Sequence, residues 1–314
     1  MGKNATGKTT ILEAIYLLST TKSFRTTESQ NLITFGKPFA KTQGVLEDQE
    51  NLKELEIVLT AGERVKKEAR IDQKHRSLIS VLGIFPTVLF TPETLNIVLG
   101  APFLRRRSMD ILLSSVSKNY AQSLLEFLKI IRQRNKTLFN IRERGQKPDL
   151  LDAWDESFIK TATYLQIQRE KLLQKINQFL PDKLEIIYLP SPKEDLKTAL
   201  LKIRPREIEL GFSLIGPQKD DFAFIWKGRP LSDFGSRGEV REGAILFKLA
   251  EWEFIKEVKK VLPVLLLDDI FSELDQAKRK KLEELFGKGQ TILTTTSLSS
   301  LSSQVISRAK VIEL

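Results

Sequence analysis

Gly2–Thr10 reads GKNATGKTT: a glycine, four residues, then glycine, lysine and threonine. Each part of that spacing has a physical use. Glycines let successive backbone N–H groups curl around an anion, lysine reaches the outer phosphates of a nucleotide, and the next hydroxyl can hold Mg2+. TILEAIYLL (Thr10–Leu18) follows with apolar residues at helical spacing, so a helix N-terminus would face the same anion. The alternative is an ordinary glycine-bearing loop in front of an amphipathic helix.

A second stretch narrows the choice. VLLLDDIFSELD (Val264–Asp275) is an apolar run, typical of a strand buried on both faces, that ends in Asp268 and Asp269. In a phosphate-loop ATPase the first such acid supports Mg2+ and the next orients or deprotonates the attacking water. Acids capping a following helix are the plainer reading. About thirty residues earlier lies FGSRGEVREGAILFKLAE (Phe234–Glu251), in which Ser236 and Gly238 stand where a helix begins. They make a second anion site or a simple helix cap. As an anion site on a separate helix, its economical ligand is the nucleotide of another copy of the chain.

The remaining sequence supplies a frame. AKTQGVLED, LKELEIVLT and VKKEARIDQK alternate apolar and polar residues between Ala40 and Lys74 and predict an antiparallel meander with one wet face. TVLF (Thr87–Phe90) reads as a buried strand, with Thr91, Pro92 and Glu93 opening a helix. From Arg105 to Leu180 the pattern is helical, with two long amphipathic stretches broken at RERGQKPD (Arg142–Asp149). PDKLEIIYLPSP (Pro181–Pro192) returns to strand character, DDFAFIWKGRPL (Asp220–Leu231) reads as a hairpin turning at Lys227-Gly228, and QTILTTTS (Gln290–Ser297) is a last buried strand.

The 314 residues include no cysteine, which rules out disulfides and cysteine-ligated zinc, and one histidine, His75, which in the polar stretch DQKHRS reads as a solvated strand-end residue. No apolar run is long enough to span a bilayer, and a cytoplasmic protein is expected. The formal net charge of +10 suits a polyanionic partner. The basic candidates are Arg105–Arg107, Arg132, Arg134, Lys136 and Lys278–Lys281. Each has a structural alternative, in ion pairs for the first group and in the wet face of a helix for the last.

Taken in order, phosphate loop, serine–glycine signature, paired acids and SELD resemble an ABC-type ATPase head. More narrowly the chain resembles the RecF family of recombination mediators, related to SMC proteins. KSFRT (Lys22–Thr26), VLFTPETL (Val88–Leu95), RRR (Arg105–Arg107), RQRNKTL (Arg132–Leu138), GPQKDDF (Gly216–Phe222) and LLLDDIFSELD carry that resemblance over nearly the whole chain.

The resemblance implies an α/β fold, an ABC/SMC-like phosphate-loop head with a mixed sheet and an antiparallel meander. The head would span residues 1–104 and 201–314, with a mainly helical second lobe at 105–200. ATP and Mg2+ would be held by Gly2, Lys3, Asn4, Ala5, Thr6, Gly7, Lys8, Thr9 and Thr10, with Thr9 and Asp268 on the metal side. Asp268 and Asp269 would be catalytic, Ser236 and Gly238 would touch the γ-phosphate across a dimer, and Asp275 would lie in a dimer-contacting loop. It also implies slow ATP hydrolysis, ATP-dependent homodimerisation, binding of single- and double-stranded DNA at gaps and junctions, and work with RecO and RecR to load RecA.

Several positions depart from the family pattern. Glu239-Val240 replaces Gln-Gln before Arg241, Gln218-Lys219 stands where His-Arg is common, and Thr94 where an acid is usual. The family head also begins with two paired strands ahead of the phosphate loop. Roughly two dozen residues of that kind are expected upstream of Gly2, counting ~5–6 residues a strand. A start placed too late explains this better than a natural truncation. A chain without those strands is expected to hold nucleotide poorly, which keeps a DNA-binding scaffold without an ATP switch as the competing reading. An ABC-transporter subunit fits less well, because TILTTTS contains no histidine.

Overall fold

The computed structural model describes residues 1–2, 6–48 and 51–314. They form two compact units, Met1–Asn96 with Ala244–Leu314, and Ile97–Gly243. In chain order the strands are β1 (Phe39–Asp48), β2 (Asn51–Thr60), β3 (Lys66–Ile71), β4 (Lys74–Arg76), β5 (Thr87–Phe90), β6 (Leu184–Leu189), β7 (Asp221–Trp226), β8 (Arg229–Pro230), β9 (Val264–Asp268) and β10 (Thr291–Thr294). No helix among the described residues is long and apolar enough to cross a membrane.

The first unit holds two sheets. β1–β4 are the expected antiparallel meander, in sequential order. Its register puts Leu55, Ile57 and Leu59 on the buried face, while His75 is exposed on β4. The second sheet is parallel, ordered β10-β9-β5, so the all-apolar run Val264–Leu267 is the middle strand. The helix Lys8–Thr20 is buried on two sides. Leu12 and Tyr16 pack with Leu89, Val264 and Leu266 of the parallel sheet, and Leu17 and Leu18 pack with Leu55, Ile57 and Leu59 of the meander. Each such side chain contributes about 1.5–3 kcal/mol of burial. The helix that opens at the phosphate loop is thereby fixed against both sheets.

The second unit is built on helices Pro102–Val116, Lys118–Arg144, Asp152–Asn177 and Leu196–Leu210. The two longest are joined through Gly145, left-handed at φ +62°. Three antiparallel strands, β6-β7-β8, complete it, with Lys227 and Gly228 both at positive φ in the tight two-residue turn. Residues 201–243, read above with the head, pack in this unit because β7 pairs with β6 and helix Leu196–Leu210 joins the helical core. The helix expected after Thr91 is instead a short 3-10 segment, Glu93–Ile97. The Thr91 hydroxyl does cap it, accepting the Thr94 N–H at 3.2 Å.

Two groups of buried charges lock the helices of this unit. Arg134 is 0% exposed and donates to Asp155, Glu207 and Ser213 at 2.7, 2.7 and 2.6 Å. Arg169 donates to Asp110, Asp220 and the Tyr120 hydroxyl, and Tyr188 also donates to Asp220. Burial, with the neighbouring carboxylates, holds both phenols protonated well above their ordinary range.

Candidate nucleotide-binding site

The parallel sheet delivers its polar residues to one edge. β9 ends at Asp268 and β10 at Thr294, paired in register, at the carboxyl ends where α/β sheets bind ligands. Asp268 Oδ1 accepts two hydroxyls, from Thr9 at 3.0 Å and from Thr294 at 2.7 Å. The residues at the two ends of the sequence motif, 259 apart, thus meet directly.

Both glycines of the loop have geometric reasons to be there. Gly7 lies at φ +94°, the left-handed region that other residues enter only with strain. A Cβ on Gly2 would stand 2.7 Å from Thr6 Oγ1 and 2.9 Å from the Leu314 carbonyl oxygen. The Met1 amine donates to the Ile312 carbonyl, the Leu314 N–H donates to the Met1 carbonyl at 2.9 Å, and Lys8 Nζ donates to the Gly2 carbonyl. Lys3, Asn4 and Ala5 lie outside the described residues.

Lys8 opens the helix and is buried, and the first helical turn carries no acid. A lysine at the positive end of a helix dipole favours an anion beside it. Thr6 and Thr10 are exposed on the same segment. The oxygen pair of Thr9 and Asp268 suits Mg2+, which prefers hard oxygen ligands and keeps several waters. The residues present therefore fit both groups, a nucleotide phosphate at Gly7 and Lys8 and Mg2+ at Thr9 and Asp268.

Asp269 leaves β9 in the left-handed conformation at φ +47°. Its N–H donates to Thr294 Oγ1 at 3.1 Å and to the Thr294 carbonyl at 3.3 Å. Thr294 therefore bonds both acids, one by its hydroxyl proton and the other by its lone pairs, a role the sequence reading did not assign. The TTTS run after the last buried strand was its signal. Beyond Asp269, Asp275 caps helix Gln276–Glu283, accepting the Lys278 N–H at 3.0 Å. Midway along the loop helix, Glu13 accepts from Ser23 and from Arg25 Nη1 at 3.3 Å, which ties the KSFRT segment to it.

Ser236 and Gly238 belong to the second unit, exposed at the start of helix Arg237–Lys259. Here the helix-cap geometry is fully formed. Glu239 Oε2 accepts the Ser236 N–H and hydroxyl, both at 2.9 Å, and Ser236 Oγ accepts the Glu239 N–H at 3.3 Å, a reciprocal capping box. Glu239 Oε1 accepts from Trp226 Nε1 at 3.0 Å. The Ser236 bonds hold this carboxyl below the usual carboxylate range. The two Ser236 donors best suited to a phosphate are thus occupied by Glu239.

The basic candidates divide sharply. Arg105 is buried against Asp221 at 2.6 Å, Arg106 donates to the Asp220 carbonyl at 2.8 Å, and Arg134 is enclosed by carboxylates. Arg107 has a polar partner too. Arg132 and Lys136 are exposed on helix Lys118–Arg144, and Lys280 on helix Gln276–Glu283. Burial therefore removes Arg105 and Arg134 as contacts for an outside polyanion.

The chain is similar to known proteins over nearly its whole length. The family model described as RecF/RecN/SMC N terminal domain matches residues 1–312. A DNA replication and repair protein RecF from Lactobacillus johnsonii is 34% identical over 99% of this chain and 89% of its own length. The protein of the same name from Lacticaseibacillus casei is 36% identical over 100% of this chain and 90% of its own. Among solved structures, that of the recombination mediator protein RecF with ATP, in the RecFOR pathway, superposes with a TM-score of 0.87 at 32% identity, covering 96% of this chain and 86% of that one.

Proposed function

The chain belongs to the RecF family, within the wider RecF/RecN/SMC N-terminal domain group, and from that premise we propose a cytoplasmic DNA-repair ATPase that uses ATP as a dimerisation switch on DNA. The observation that carries the reading is the meeting of Thr9 and Thr294 on one oxygen of Asp268. Three sequence-remote residues converge there, at the C-terminal edge of the parallel sheet and beside a loop shaped for an anion. Relatives named as DNA replication and repair proteins, and a solved relative that carries ATP, support it.

In this mechanism Gly7 and its neighbours present backbone N–H groups to the phosphates, and Lys8 neutralises their outer charge. Thr9 and Asp268 would hold Mg2+, which when bound supplies the charge that lets the terminal phosphate accept a nucleophile. Asp269 orients water and takes its proton, held in place by the Thr294 hydroxyl. Ser236 and Gly238 of a second copy close on the γ-phosphate after Glu239 releases Ser236. Asp275 lies in the loop that faces that copy. Arg132, Lys136 and Lys280 offer charge to DNA phosphates, giving salt-dependent, sequence-blind binding. RecO, RecR and the loading of RecA complete the role we assign.

Lys8→Met tests the switch. On gapped DNA at two salt concentrations, ATP is expected to dimerise the wild-type chain. The variant is expected to lose at least ~10-fold in ATP affinity, the scale of a charge-assisted contact, while still binding DNA. Dimerisation indifferent to both ATP and Lys8, with DNA binding intact, would overturn the switch in favour of a passive scaffold.

A further inference from the structure

The loop before β1 carries an aromatic side chain that the fold does not use. Lys37 N–H donates to the Thr34 carbonyl at 2.9 Å, closing a four-residue turn, with Gly36 in its third position at φ +74°. Phe35 has no positive φ, so the turn is type II, with Phe35 at its corner. The ring is wholly in solvent, at 103% relative exposure.

The turn is nevertheless held from both sides. Ile33 is buried in the core with Leu17, Leu55 and Ile57, and the Pro38 carbonyl accepts the Ala61 N–H at 2.8 Å. The exposed ring therefore stands on anchored backbone. It borders an open cavity of about 650 Å³ whose lining includes Gln30, Asn31, Ile33 and Lys37. Lys37 is exposed and has no ion pair among the described residues. Asn31 spends one amide proton on Thr26 Oγ1 at 3.3 Å and keeps its carbonyl oxygen.

We propose that this turn binds single-stranded DNA, with Phe35 stacking on an unpaired base, Lys37 meeting the adjacent phosphate, and the Gln30 and Asn31 amides at the base edge. A flat aromatic face, an unpaired cation and side-chain amides are the combination that recognises unstacked bases. A duplex keeps its base faces stacked, so the ring gains most from a base that is already unpaired. Pro38 and Phe39 are also exposed beside the turn, so a protein partner is the competing occupant that the test separates; the cation and the amides at the ring favour the unpaired strand. The inference rests on the DNA-binding reading above and adds to it where the unpaired strand lies.

The test uses the full chain with ATP and two probes, a fully paired duplex and the same duplex with a single-stranded gap containing 2-aminopurine. Wild type is expected to change the 2-aminopurine fluorescence on binding. Phe35→Ala is expected to lose that change and to weaken gap binding by ~5- to 100-fold, the usual span for one stacked base, with duplex affinity unchanged. Phe35→Trp should restore both readouts. Lys37→Ala should lower the salt dependence of gap binding by about 0.7 in log–log slope. Equal gap binding by Phe35→Ala and wild type overturns the proposal, as does an equal loss on both probes. A change confined to self-association overturns it in favour of a protein contact. If wild type binds neither probe, the DNA-binding reading fails instead.

Discussion

Two regions of the molecule gather polar side chains with opposite results. Around Arg134 and Arg169 in the second unit, every strong donor meets a carboxylate or hydroxyl, and the groups are closed to water. At the edge of the parallel sheet, the described partners of Asp268 are the neutral hydroxyls of Thr9 and Thr294, and Lys8 donates to the Gly2 carbonyl. The closed groups have spent their charge on the fold. The sheet edge is buried as well, but it keeps a lysine, a helix dipole and a carboxylate whose present neutral partners a phosphate and a cation could replace. An arginine-rich or acid-rich stretch points to function only where its bonds are of the second kind.

The largest test of that contrast is Arg134→Met. It leaves Glu207, 0% exposed, without its arginine and Asp155 with Arg204 at 3.6 Å in place of the closer Arg134, and should cost about 3–5 kcal/mol in urea unfolding. Replacing Arg134, Asp155 and Glu207 together by apolar residues of similar volume should recover most of that loss. A small effect from Arg134→Met alone would mean that the closed group is not what holds the helices together.

Thr294→Val should have a middle-sized effect and divide differently. Removing the hydroxyl costs about 1–3 kcal/mol of stability, the price of an unmade buried hydrogen bond. It should also slow ATP hydrolysis by roughly tenfold, because the same hydroxyl sets Asp269. Stability lost with hydrolysis unchanged would class Thr294 with the closed groups.

Glu239→Gln should act least on the fold and visibly on assembly. It is expected to tighten ATP-dependent dimerisation by roughly fivefold, the scale of removing one like charge near an exposed phosphate. Acid should not mimic it at neutral pH. Glu239 is held below its ordinary carboxylate range, so its cap is fully formed above that range and is lost only as pH falls through the lowered value. Dimerisation of wild type should therefore be flat across the near-neutral range, read by light scattering. A rise between pH 7 and 6 would assign the control to another group.

Much of this was legible in the sequence because it was local. The meander, the loop helix, β9 and the hairpin at Lys227-Gly228 are each written in a short periodic stretch. The pairing of Thr9 with Asp268 was legible for another reason, since the loop and the acids each have a recognisable chemistry. What could not be read depended on distant partners. Arg105 finds Asp221 at 116 residues' separation and Arg134 finds Glu207 at 73, and nothing near either arginine announces it. Helix Leu196–Leu210 was hidden by Pro205, which normally breaks a helix. Leu201, whose carbonyl loses its partner, is exposed, so water can take the vacant bond.

The left-handed backbone at Asp269 limits which residues evolution or an experimenter can place there. Asp and Asn tolerate that conformation best after glycine, whereas a longer acid gains reach only by accepting strain. Asp269→Asn is accordingly the substitution that removes the charge and keeps the chain path. Alanine or glutamate would change chemistry and backbone together, and the two effects could not be told apart. The reach of this acid is thus tied to a torsion angle, and a glutamate here would gain one methylene of reach at the cost of backbone strain.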